Sequence, residues 1–146
     1  MDELKTDQRT DQDLYYELSM YTLNLGDTAF IHQYIVDAYC ARHANQETKP
    51  IAIAFALMGL YLHHEKNYSG KQVQSAHMRM AQKKKEWPQF IFPIERGSIT
   101  VAEVLKAKPG PDRNEMINQW SENVWQAWIE NRTTISHWLK TELGIV

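Results

Sequence analysis

His32-Gln-Tyr-Ile-Val-Asp-Ala-Tyr-Cys-Ala-Arg-His43 reads as one buried helix, and it gathers more chemistry than any other stretch of the chain. An α-helix turns by about 100° per residue, so positions i, i+4, i+7 and i+11 share a stripe. Counted from His32, that stripe is His32, Val36, Tyr39 and His43. Phe30, Ile31, Tyr34, Ile35 and Ala38 form a second stripe, roughly opposite. A surface helix has one apolar face, whereas this one has packing groups on two. One face is expected to meet the core. The other presents two imidazoles, a phenol and, at its flank, Cys40. Asp37 sits off the first stripe and needs a donor if it is buried.

The neighbouring helices follow from the same periodicity. Before this stretch, Leu14, Tyr15, Leu18, Tyr21, Thr22 and Leu25 keep helical spacing from Asp11 onward. Gly26 is expected to stop that helix, and Asp27 to cap the next from about Thr28 to His43. After it, Pro50 suits a first turn. Ile51 to Leu62 is apolar all round, which marks the central buried helix. Its stripe Ala52, Ala56, Gly59 and His63 has three small residues, which allow a close helix approach or leave space for a ligand. His63 and His64 close that helix, where a cation would suit the dipole.

Ser69 and Gln72 form a capping box for a fourth helix reaching about Glu86, with Val73, Ala76, His77, Met80 and Ala81 inward. The lysine run 83–85 suits its end. Trp87-Pro88 stops it, and residues 87–100 read as an extended strap, because Pro88 and Pro93 argue against a central strand. Thr100 and Glu103 open a short helix, and Asp112 with Glu115 opens the last one. The last helix carries Ile117, Trp120, Val124 and Trp128 inward, and a kink is expected at Asn131 to Thr134. The reading is one all-α domain over residues 11–146, an irregular four- to five-helix bundle with a frayed tail at 1–10.

With 146 residues, a net charge of −2 and 43% hydrophobic content, the chain can build its own core. General polyanion binding is not implied, so no nucleic acid is expected. Cys40 is the one cysteine, which excludes an intrachain disulfide and a Cys-rich zinc module. The polar, acidic N-terminus is neither a signal nor a transit peptide. The longest apolar run is too short to span a bilayer. A soluble, reducing, cytoplasmic setting is expected.

Walker, dinucleotide and nucleophile-elbow motifs are absent. What remains is a polar His/Tyr-lined site for a small-molecule ligand, at His32, Asp37, Tyr39 and His43. A second class is a metal-dependent hydrolase or transferase. His32, His63 and His77, on three different helices, would then hold zinc or nickel, although no HxxxH or HExxH pair fixes two ligands on one helix. Against both stands a structural role for each imidazole. A third class is an interaction module that exposes Trp125 and Trp138 in one patch, for a partner or as a homodimer.

Tyr16-Glu-Leu-Ser19, His32-Gln, Val36-Asp-Ala-Tyr39, Trp87-Pro88, Gly97 with Thr100-Val101, and Trp120 with Val124-Trp-Gln-Ala-Trp128 carry a resemblance over roughly residues 14–130. On these residues the chain resembles a family of small, all-helical bacterial proteins classed as a domain of unknown function. Some relatives are expected to begin with a Cys-rich segment that this chain lacks, so a metal role tied to that segment does not carry over. The resemblance implies a single helical domain and no particular activity.

Overall fold

The Thr10 hydroxyl accepts the Asp13 N–H while the Asp13 carboxylate accepts the Thr10 N–H, and this capping box opens α1 (Asp11–Asn24). A computed structural model describes residues 8–83 and 86–146. Among these residues there are seven α-helices, one 3-10 turn and no strand, so the expected helical class holds while the count of four to five is too low. Of the expected tail, residues 1–7 lie outside the described residues. Arg9 pairs with Glu17, and Thr10 is the cap.

Helix α2 spans His32–His43 and starts four residues later than expected. Asp27 still serves it, since its carboxylate accepts the Ile31 N–H at 2.9 Å. Between them Phe30 takes a left-handed φ of 58°, which no helix interior accommodates. The Phe30 carbonyl lies against Gly70, where a Cβ would collide with it. The helix start is therefore set by a tertiary approach rather than by local propensity.

Helix α3 (Pro50–Lys66) is the central element, with an unbroken buried run from Ala56 to Leu62. Asn67, left-handed at φ 58°, ends it. Helix α4 (Gly70–Ala81) opens with the expected Ser69/Gln72 box. It stops at Ala81 rather than near Glu86, and residues 84 and 85 of the lysine run lie outside the described residues.

Residues 86–100 carry no helix or strand, which matches the expected strap. Asn131 grips it, accepting the Ile91 N–H at 2.7 Å and donating to the Ile91 carbonyl at 2.9 Å. Asn123 accepts the Ile99 N–H at 3.0 Å. Arg96 donates to the Ala41 carbonyl at 3.1 Å and to that of Ala44 at 2.6 Å, with its guanidinium 4.9 Å above the Trp128 ring. Arg42 donates back to the carbonyls of Arg96 and Gly97. The clasp satisfies the end of α2, whose carbonyls would otherwise be orphaned.

Helix α5 (Val101–Lys106) has its Thr100/Glu103 box. Helix α6 (Pro111–Ala127) begins at Gly110 with Pro111 in the first turn, so Asp112 lies inside the helix instead of capping it. A 3-10 turn at Ile129–Asn131 then separates α6 from α7 (Arg132–Leu143), and this break adds to the helix count. Trp120, Trp125 and Trp128 are fully buried, and Trp138 is 7% exposed. The exposed Trp125/Trp138 patch is thereby ruled out, because these rings form the core. The Trp128 N–H donates to the Ala41 carbonyl at 3.1 Å, whereas the buried Trp120 N–H has no partner among the described residues. No described helix is long and apolar enough to cross a membrane.

Candidate functional site

Helices α1 and α2 meet along a polar seam. At its lower end His32 Nδ1 lies 2.9 Å from the Thr22 hydroxyl. That hydroxyl also reaches the carbonyls of Ser19 at 3.1 Å and Leu18 at 3.3 Å. One arrangement uses all three distances: the hydroxyl hydrogen goes to the helix carbonyls and His32 donates from Nδ1, which leaves Nε2 as a bare acceptor. Further up, Tyr15 and Tyr39 stack at 4.1 Å, and Tyr39 packs on His43 at 4.3 Å. His43 is exposed and lies 3.8 Å from the Asp11 carboxylate.

Asp37 sits behind the seam and faces α3. It is only 4% exposed, and its hydrogen-bond partner is Nε2 of Gln33 at 3.1 Å, one helical turn earlier. Gly59 makes room for it, since a Cβ there would run into the Asp37 carboxyl. The small stripe on α3 thus provides a close approach. Burial pushes the Asp37 carboxyl well above the usual carboxylate range, with the Gln33 bond opposing weakly. That shift favours the protonated acid.

The shifts of the other titratable groups of the seam also favour their neutral forms. Burial lowers the His32 imidazole. Burial also lowers His43, although Asp11 pulls it back. Burial raises the phenols of Tyr15 and Tyr39. The Cys40 thiol, 3.6 Å from the Ala52 carbonyl, is pushed up to about 11, chiefly by burial. A thiol in that range is no nucleophile at neutral pH.

His63 and His77 do not join His32. His63 Nδ1 faces the Tyr68 carbonyl and its Nε2 the Asn118 side chain, both at 2.9 Å, with Tyr34 stacked on the ring at 3.7 Å. His77 donates from Nε2 to the Phe55 carbonyl at 2.9 Å. Each imidazole has turned to a partner on its own side of the bundle. Among the described residues, no three His, Cys, Asp or Glu side chains are grouped to hold a metal ion. The dipole argument for His64 also fails, since burial and the neighbouring His63 lower it to about 3, so it is uncharged at neutral pH.

Sequence reasoning missed three members of the seam, namely Tyr15, Thr22 and Gln33. The signal for Gln33 was present, because it stands four residues before Asp37, where a helix brings side chains together. Three surface clefts lie between the strap and α6, along α7, and between the strap and the start of α3, and none of these is lined by His32, Asp37, Tyr39 or His43.

No curated protein and no solved structure matches the chain. A family of unknown function (DUF5946) matches over residues 5–129, a span that holds α1 to α6 together with the seam and the strap. The chain belongs to this family of unknown function.

Proposed function

We propose that the protein binds a small, uncharged polar molecule at the α1–α2 seam, against His32, Tyr39 and His43, with Asp37 behind them. What supports the reading is one observation: six titratable groups gather here, and the shift of every one favours its neutral form. Such a surface offers acceptors, donors and ring faces without a net charge to neutralise. An amide, a polyol or a heteroaromatic ring matches it.

Saturation-transfer NMR with a library of neutral amides, diols and heteroaromatics tests this. Signals are expected with the native chain and lost in a Tyr39→Phe/His43→Gln variant that keeps its helical circular dichroism. Signals of equal strength in that variant, or none in either protein, overturn the seam as a binding site.

A further inference from the structure

The cleft between the strap and the outer face of α6 has a volume of about 580 Å³, within the ~300–1,000 Å³ typical of ligand sites. Ile91, Phe92 and Ala127 give it apolar surface, and Glu95 and Glu130 give it carboxylates. Ile91 is 60% exposed and Ile94 is 100% exposed. This exposure does not come from a loose segment, because Asn131 and Asn123 hold the strap's backbone on either side. The side chains are presented by a fixed frame.

Charge selects the occupant. No lysine or arginine lines the cleft. The adjacent cation, Arg96, is turned inward onto Trp128 and the α2 carbonyls. A second copy docked by two-fold symmetry would set this acidic cleft against itself. An anionic lipid surface or a nucleic acid would meet the same repulsion.

We propose that this cleft is a docking site for a short peptide segment of a partner protein, one that sets an aliphatic or aromatic side chain beside a lysine or arginine. The apolar side chain fills the space against Ile91 and Phe92, and the cation reaches Glu95 and Glu130. The site is independent of the α1–α2 seam and shares no residue with it.

The test is a random hexapeptide bead library probed with the full labelled chain and with two variants, Glu95→Lys/Glu130→Lys and Ile94→Asp. All three substituted positions are exposed, so circular dichroism should be unchanged. The native chain is expected to enrich peptides pairing an apolar residue with a basic one, with weaker capture at high salt. Charge reversal should turn the preference towards acidic peptides, and Ile94→Asp should lower capture about tenfold. No enrichment by the native chain, or the same enrichment by all three proteins, overturns the proposal. So does a concentration-dependent dimer in sedimentation that Ile94→Asp abolishes, because it assigns the cleft to a second copy.

Discussion

The C-terminal end of α3 and the α1–α2 seam are built from the same kinds of residue, and they use them differently. At the end of α3, most of the polar capacity is consumed, although His64, like His32, is shown with a partner at one ring nitrogen. His63 has a partner at each ring nitrogen, and His64 Nε2 meets the Ser121 hydroxyl at 2.8 Å. Glu65 accepts the Trp125 N–H and pairs with Arg132, both at 2.9 Å. In the seam the rings stack on one another, His32 meets one hydroxyl, and Asp37 is held by one amide. A polar group whose bonds are all spent is part of the architecture. One with capacity left is available to a ligand, and this criterion separates the two regions better than residue type does.

The largest effect expected tests the inner wall of the seam. Glycine to alanine within a helix ordinarily stabilises by about 1 kcal/mol. At Gly59 the new methyl group meets the Asp37 carboxyl, and Gly59→Ala is expected to cost about 3 kcal/mol in urea denaturation. Pairing it with Asp37→Ala should restore at least part of the loss. A stabilised single variant would mean that α2 and α3 are not wedged together there.

Next in size, Ser121→Ala leaves the His64 nitrogen without its partner and is expected to cost about 1–3 kcal/mol. Tyr39→Phe in the seam should stay within about 0.5 kcal/mol. Equal costs would erase the distinction between the two regions.

In pH dependence, His64 and Asp37 contribute with opposite sign. His64 is lowered from 6.5 to about 3 on folding, so the unfolded chain binds the proton first. Stability is lost as pH falls from about 6.5 towards 3. Asp37 is raised above 3.8, so the unfolded chain releases the proton first. Stability is lost as pH rises from about 4 through the folded value. Melting temperatures between pH 3 and 8 should show His64→Gln flattening the acid limb and Asp37→Asn flattening the other. A variant that leaves its own limb unchanged assigns that limb to other groups.

Where local chemistry decides, the sequence was legible. The boxes at Ser69/Gln72 and Thr100/Glu103, Pro50 at a first turn and the all-apolar run of α3 all depend on neighbours within a few positions. Where a distant contact decides, it was not. Phe30 is left-handed because α4 begins against its carbonyl, and that delays α2. The stripe His32, Tyr39 and His43 lies along the seam as helical spacing dictates. His63 and His77 were drawn away by Tyr68, Asn118 and Phe55, of which Asn118 is 55 positions from its histidine. The tryptophans of α6 showed their stripe, but a stripe alone does not say whether other helices cover it.

The clasp between the strap and α2 has a kinetic consequence. Arg42 reaches the strap across 54 positions of sequence, and Asn131 reaches it across 40. Contacts between such distant positions return energy only after the loops between them have closed. The strap can fasten only onto an α2 end and an α6–α7 joint that already stand. It acts as a latch set late in folding, so weakening it hastens unfolding while the rate of folding stays nearly unchanged.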